Sequence, residues 1–190
     1  SINKQFLKKH FDEKSGPLFK CDNIDRFCDT NNAPSAMPPN LYYMGDDSTL
    51  YYDSYDIKSD YGWEELIYFL RVLDSDFDHI DSVLNVDRTL WAFAVNQVIS
   101  NLDCYNTYYV HNYYLYQTKD GLFQMIPWDL DNSFVGAIMG WDYWAPSNVY
   151  EYDPYFEGPP LGTSQPWEVR PLLYKLLNDP FYRNQYTAHL

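Results

Sequence analysis

The chain has 190 residues, of which 46% are hydrophobic and 21% charged, a balance typical of a globular protein with one packed core. A formal net charge of −14 disfavours nucleic acid and anionic membrane surfaces as partners, and favours divalent cations and basic proteins. No apolar run approaches the roughly 20 residues that a membrane-spanning helix needs, so we expect no transmembrane segment.

The first third of the chain is predicted to contain one short helix and a long irregular region. Residues 3–11 have Phe6, Leu7 and Phe11 on one helical face, and the Gly16-Pro17 pair ends this segment. Residues 22–60 are rich in Asp, Asn, Pro and Tyr, and prolines at positions 34, 38 and 39 disfavour helix there. A loop of this length usually carries function or packs on a scaffold.

Three further helices are predicted from apolar periodicity. One begins at residue 62 and has a single apolar stripe: Trp63, Leu66, Ile67, Leu70 and Leu73. Another, over residues 86–100, has apolar side chains around most of its circumference, which predicts burial on all sides: Leu90, Trp91, Phe93, Ala94, Val95, Val98 and Ile99. The last, Pro171–Asn178, starts with a proline suited to a first helical turn.

A β-hairpin is predicted between the second and third of these helices. The β-prone runs Tyr113–Gln117 and 122–126 flank Asp120-Gly121, a strong turn signal. If the hairpin turns around Asp120, Asn112 faces Trp128 and His111 faces Asp129. Paired strands lie about 4.8 Å apart, so the residues at the open end of the hairpin are expected to share one small region.

Three polar side chains are predicted to meet at that open end. The amide oxygen of Asn112 and the carboxylate of Asp129 can converge on one point, and Asp103 enters from the end of the preceding helix. Hard oxygen ligands of this kind suit Mg²⁺ or Mn²⁺ held together with phosphate oxygens. Each residue also has a plain structural interpretation, since Asp and Asn are common in turns and at helix ends.

The order Asp, Asn, hairpin, Asp is the order that protein kinases use for phosphoryl transfer. One Asp accepts the hydroxyl proton, an Asn holds a metal ion, and the Asp after the hairpin holds the metal that bridges the phosphates. Asp103 and Asn112 are nine residues apart, whereas kinases use about five. The loop therefore requires an insertion at residues 104–110.

The three cysteines suggest no zinc site, because neither CxxC nor HExxH spacing occurs. Cys21 and Cys28 lie in a polar stretch and can pair in an oxidising compartment, which the sequence leaves open. Cys104 is interpreted as a buried structural cysteine in preference to a nucleophile.

The long segment NVDRTLWAFAVNQVISNLDCYNTYYVHNYYLYQTKDGLFQMIPWDLDNSF resembles the signature region of the spore-coat-protein-H (CotH) kinase family. That family pairs a helix ending in Asn-x-Asp with His-Asn-Tyr-Tyr-Leu-Tyr and then Pro-Trp-Asp-x-Asp. The pieces FLKKHFDEKSGPLFK and RPLLYKLLNDPFYRNQY are similar to its Phe-Leu helix and its closing helix, so the resemblance spans nearly the whole chain. One departure is Val135, where the family usually has Gly.

The resemblance implies an α+β fold: a single atypical kinase-like C-lobe over residues 1–190, mainly helical, with a catalytic-loop hairpin and long irregular loops. It implies ATP, Mg²⁺ (or Mn²⁺), and transfer of the γ-phosphate to Ser or Thr of protein substrates at a cell or spore surface or outside the cell. By matched position it implies Asp103 as catalytic base, Asn112 and Asp129 as metal ligands, and Asp131 as a further metal ligand.

The resemblance also implies that the family's N-lobe and its ATP-binding lysine precede Ser1. We therefore expect that neither they nor a signal peptide lies within these residues, and that the isolated chain transfers nothing. The early lysines are interpreted as solvated charge: Lys4, Lys8, Lys9, Lys14 and Lys20.

Two other functions remain open from the sequence. One is a catalytically inactive family member that acts in surface adhesion or as a scaffold, although such a copy has no need of Asp103, Asn112 and Asp129 together. The other is a carbohydrate-active protein, because aromatic residues make up 19% of the chain and carboxylates are abundant. The kinase interpretation is preferred, with a Ser- or Thr-bearing, basic protein as substrate.

Overall fold

The computed structural model of the chain describes residues 2–22, 37–101, 103–107, 110–134, 153–156, 158 and 160–190. Cys28, Pro34 and Val135, which entered the sequence analysis, lie outside the described residues. None of the helices among the described residues is long and apolar enough to cross a membrane.

Helices and a small antiparallel sheet alternate along the described chain, which gives an α+β fold. The α-helices are α1 (Lys4–Phe11), α2 (Trp63–Ser75), α3 (Val86–Val98), α4 (Pro171–Asn178) and α5 (Pro180–His189). The strands are β1 (Leu18–Cys21), β2 (Asp56–Ile57), β3 (Tyr113–Gln117) and β4 (Phe123–Pro127), and two 3₁₀ helices cover Ser48–Tyr51 and Phe77–Ser82. The four helices predicted from periodicity are therefore confirmed, with ends that differ from the prediction by at most two residues.

Local side-chain caps set several helix ends. The Asn3 side chain accepts hydrogen bonds from the amides of Gln5 and Phe6 and so begins α1. Asp179 plays the same part for α5, where it accepts from the amide of Phe181. Because Pro180 follows it directly and cannot donate a backbone hydrogen bond, the chain breaks there into α4 and α5.

The sheet has the strand order β2-β1-β3-β4, and its neighbouring strands are antiparallel. Tyr113 pairs with Pro127, and the amide of Trp128 donates to the carbonyl of Asn112 at 3.0 Å. The predicted hairpin register is therefore confirmed.

The strands β1 and β2 correct the sequence interpretation in two ways. The hairpin does not stand alone, because β1 pairs with β3 along its whole length. The region 22–60 was predicted to be irregular, but it contributes β2 and the 3₁₀ helix Ser48–Tyr51. Both strands are short, and their partners are distant in sequence, so no local pattern marks them.

Gly16 lies where the chain turns into β1, directly against β3. A Cβ atom there would stand 1.8 Å from the carbonyl oxygen of Gln117, whose amide donates to Pro17. Gly16→Ala is therefore expected to lower the free energy of unfolding by about 2–4 kcal/mol, measured by denaturant titration. As a control, Gly121→Ala faces open space and should cost only its left-handed backbone strain, about 1–2 kcal/mol. Equal losses for the two variants would contradict this expectation.

Many of the tyrosines belong to the core. Eight of the described tyrosines are buried: Tyr51, Tyr55, Tyr105, Tyr113, Tyr114, Tyr116, Tyr182 and Tyr186. Four of their hydroxyls bond to backbone groups of the segment 37–45: for example, Tyr55 accepts from the amide of Leu41 and Tyr105 donates to the carbonyl of Asn40. A tyrosine supplies both apolar area and a polar tip, which is how a loop-rich core buries its backbone.

One face of α3 is open, against the prediction of burial on all sides. Leu90 and Phe93 are buried in the main core, but Trp91, Val95 and Val98 are between 42% and 62% exposed. Trp91 and Val95 line a groove together with Leu130, which is also exposed. An apolar surface therefore lies beside the loop that follows β4.

Candidate active site

Three polar residues come together at one end of the sheet because of its topology. Strands β1 and β4 both run antiparallel to β3, so both end where β3 begins. Asp22 follows β1, Asn112 precedes β3, and Asp129 lies just beyond β4. The structure therefore brings Asn112 and Asp129 to the same end of the sheet, as the hairpin predicted. It also places Asp22 there, a residue that no sequence pattern marked.

Asp103 lies in the loop after α3 and reaches the same end of the sheet. The amide nitrogen of Asn112 donates to the backbone oxygen of Asp103 at 3.0 Å and to its Oδ2 at 3.2 Å. The contact leaves the Asn112 Oδ1 atom as the one able to coordinate a cation. The nine-residue spacing that separates Asp103 from Asn112 is thus compatible with direct contact.

Two further donors hold the Asp103 carboxylate. His111 Nε2 lies 3.1 Å from Oδ1, and Asn132 donates to Oδ2 at 2.7 Å. Burial alone would raise the pKa of Asp103, but the hydrogen bonds from His111, Asn132 and Asn112 outweigh it, so the pKa lies below the ordinary value of 3.8. Asp103 is therefore a fixed, ionised carboxylate.

A chain of buried amides positions the loop that carries Asp103. Asn96, on α3, accepts from the side chain of Asn101 at 3.2 Å and donates to Asn106 at 3.1 Å. The Asn101 side chain in turn accepts from the backbone amide of Asp103 at 3.2 Å. Because all three amides are buried and paired, displacing the loop would leave polar groups without partners, at about 1–3 kcal/mol each.

Cys104 belongs to this support and is buried, as expected for a structural cysteine. Its Sγ atom lies 3.3 Å from the carbonyl oxygen of Asn101. Burial raises the pKa of its thiol to about 12, which keeps it protonated at neutral pH. Cys21 is likewise buried and has no disulfide partner among the described residues, which do not include Cys28.

Asn112 and Asp129 both adopt a left-handed backbone conformation, with φ of 58° and 54°. Asn and Asp tolerate this region better than other non-glycine residues, and such conformations cluster at functional sites. Left-handed residues at the start of β3 and just after β4 turn the chain away from the sheet at both positions.

Asp129 is exposed and lies close to other carboxylates. Burial of part of the group raises its pKa, and the neighbouring charge of Asp131 raises it further, followed by Asp22 and Asp103. Two carboxyl groups in hydrogen-bonding contact repel each other unless they share a proton or a cation. In metal-free solution this cluster is therefore electrostatically unfavourable.

The oxygen donors at this site suit a Mg²⁺ ion that is shared with substrate phosphates, and they are too few to enclose a metal ion on their own. Among the described residues, no group of three or more His, Cys, Asp and Glu side chains is arranged to hold a metal ion. Asp129 and Asp131 provide two carboxylates, and Asn112 adds a neutral oxygen. Mg²⁺ is usually bound by one or two carboxylates together with water and substrate phosphates, so a set of this size is sufficient for it.

Asp129→Asn is expected to stabilise the metal-free chain. Because the folded state raises the pKa of Asp129, ionisation of this group costs stability as pH rises through that pKa. The gain in unfolding free energy should appear at pH 7, disappear well below 3.8, and stay under about 1 kcal/mol because the site is exposed. Urea titrations with EDTA at both pH values measure it, and a loss of stability at pH 7 would contradict it.

Sequence reasoning missed His111 and Asn132 as partners of Asp103, and Asp22 as a neighbour of Asp129. His111 had been placed opposite Asp129, but its ring contacts Asp103. Asn132 lies only three residues after Asp129, in a stretch that reads as a turn, and its reach back to Asp103 is a tertiary contact. Only the density of Asn and Asp in this region hinted at them.

A family model described as CotH kinase protein matches residues 1–190. The matched range runs from before α1 to the end of α5, so it includes the Asp103 loop, the hairpin and the segment with Asp129 and Asp131. No curated protein matches the chain.

Proposed function

Because the chain belongs to the CotH kinase family, we propose that it carries the catalytic carboxylates of an ATP-dependent protein kinase that phosphorylates Ser or Thr. Membership of this family supports a kinase-like phosphotransferase activity. That the phosphate is transferred to Ser or Thr is the more specific part of our proposal. The observation that carries it is the contact of Asp103 with Asn112 at the end of the hairpin that Asp129 follows.

In this proposal Asp103 is the general base. The carboxylate takes the proton of the substrate hydroxyl while the hydroxyl oxygen bonds to the γ-phosphorus and the bond from that phosphorus to the β–γ bridging oxygen breaks. His111 and Asn132 hold the carboxylate in one orientation. The lowered pKa of Asp103 keeps it ionised and able to accept the proton at neutral pH.

Asp129, Asp131 and Asn112 would hold Mg²⁺ in this reaction, since they supply the hard oxygen atoms at the site. The ion, when bound with ATP, supplies positive charge that offsets the charge developing on the transferred phosphoryl group. The chain's own part is to place three oxygen donors at the sheet edge within reach of Asp103. A Mn²⁺ ion would use the same donors.

The substrate and location are proposed on charge and family. The net charge of −14 and the acidic sheet edge favour a basic protein segment around the phosphorylated residue. The family takes its name from a spore coat protein, which supports a cell-surface or spore-surface location.

Two alternatives receive less support. An inactive scaffold would not require a buried, ionised carboxylate held by three separate donors. The carbohydrate-active alternative loses part of its basis because eight of the described tyrosines lie in the core, although Tyr52, Tyr61 and Tyr68 remain exposed.

Transfer of labelled phosphate from ATP to a basic Ser/Thr protein, measured with the full-length protein and Mg²⁺, tests the proposal. Transfer that requires both Mg²⁺ and Asp103 would support it. No incorporation into any tested substrate, together with no binding of Mg·ATP, would contradict it and leave the scaffold alternative. A glycan array with the same protein tests the carbohydrate alternative.

A further inference from the structure

Lys20 does not behave as the solvated charge that the sequence suggested. It lies on β1, and its side chain is 29% exposed. It forms an ion pair with Asp22, whose side chain is 23% exposed. The pair is therefore partly enclosed, unlike the pair of Lys8 with Asp12 on α1, where the side chains are 59% and 93% exposed.

The sheet register places Lys20 two rows away from the candidate active site. Lys20 pairs with Tyr114 on β3, and Tyr114 pairs with Ile126 on β4. Tyr113 and Pro127 form the next row toward the open end, and Asn112 lies beside Trp128 in the row after it. Because Phe19 and Cys21 point into the main core, Lys20 lies on the opposite side of the sheet, with Leu18.

The ion pair also lies within electrostatic range of the proposed metal ligands. Asp22 is one of the charges that act on Asp129. Asp22 is the first residue after β1, at the same end of the sheet where Asp129 follows β4. The Lys20 ammonium group, which pairs with Asp22, is therefore well placed to contact a negatively charged ligand that binds at Asp129.

We propose that Lys20 is a phosphate-contacting residue of this site, held by Asp22 until a nucleotide binds. The inference rests on the proposed function and adds to it a positively charged contact from within these residues. A polyphosphate brought to a site with four nearby aspartates needs compensating positive charge, and a lysine on a flexible stem can supply it as a point charge. Asp22 lowers the cost of keeping that lysine half-buried while the site is empty.

Titration calorimetry on the full-length protein tests the proposal, with Mg·ADP and adenosine as the two probes. Lys20→Met is expected to weaken Mg·ADP binding by about 10- to 100-fold, the range for a hydrogen bond to a charged group, and to leave adenosine affinity unchanged. Lys20→Arg should restore most of the affinity, because it keeps the charge. Lys8→Met removes a lysine from an exposed Lys–Asp pair and should leave both affinities unchanged.

The outcomes separate this inference from the function on which it rests. Unchanged Mg·ADP affinity in Lys20→Met would overturn the role of Lys20 while leaving the kinase proposal intact. Equal weakening of Mg·ADP and adenosine would overturn it as well, because the lysine would then hold the fold and not the phosphates. Failure of the wild-type protein to bind Mg·ADP would overturn both proposals together.

Discussion

Asp103→Ala is expected to lower phosphate transfer by the full-length protein by about 10²–10⁴-fold, the usual contribution of a general base. The side chain is the acceptor for His111, Asn112 and Asn132, so no other described carboxylate has the same set of contacts. Mg·ATP affinity should change little, since Asp103 is not among the proposed metal ligands. Steady-state transfer rates and calorimetry on the same samples measure the two effects.

The structural cost of this change needs its own control. Removing the buried carboxylate takes one hydrogen-bond partner from each of three donors, which can cost about 1–3 kcal/mol of stability. Asp103→Asn keeps the side-chain volume and one acceptor oxygen, and should lose transfer to a similar degree with a smaller loss of stability. Asp78→Ala, at an exposed position, should leave transfer unchanged. Wild-type turnover in both Asp103 variants would remove Asp103 from the mechanism.

Asp129→Ala is expected to weaken Mg²⁺-dependent nucleotide binding, whereas Asp103→Ala is expected to slow transfer and leave that binding nearly unchanged. Loss of an outer-shell partner of a metal ligand costs roughly 10–100-fold in affinity, and loss of a direct ligand should exceed that. Asp129 is exposed, so the variant should fold, and the removal of a repelled charge favours folding. Calorimetry with ATP in the presence of Mg²⁺ and in EDTA measures the metal-dependent part.

Asp131→Ala is the informative comparison, because Asp131 is two residues away in the same acidic cluster. A smaller loss of affinity in Asp131→Ala than in Asp129→Ala agrees with Asp129 as the main ligand. Wild-type affinity in Asp129→Ala, with a large loss in Asp131→Ala, would transfer the principal role to Asp131.

The sequence was sufficient to predict those features that depend on neighbouring residues. The hairpin register followed from Asp120-Gly121 alone, since a tight turn fixes which residues face each other. The span of α4 was predicted correctly at both ends, because a proline opens it and its leucines repeat at helical spacing. For the same reason Asn112 and Asp129 could be placed near each other before the structure was known.

The remaining features depend on tertiary contacts. β1 has four residues and one lysine, and only its pairing with β3 makes it a strand. The apolar residues around α3 suggested burial, but neighbouring elements cover only part of its surface, so Trp91 stays half-exposed. His111 and Asn132 reach Asp103 through folded loops, and periodicity carries no information about such contacts.

Pairing of β1 with β3 joins parts of the chain that are separated by about one hundred residues, from Leu18 to Tyr116. Closing so long a loop is entropically costly and slow compared with forming α2 or the hairpin. The hairpin can therefore form early with Asn112 and Asp129 in register, while Lys20 and Asp22 join them only when the whole sheet is assembled. Amide hydrogens of β1 should consequently exchange at a rate set by global unfolding, whereas the exposed hairpin turn should exchange through local opening.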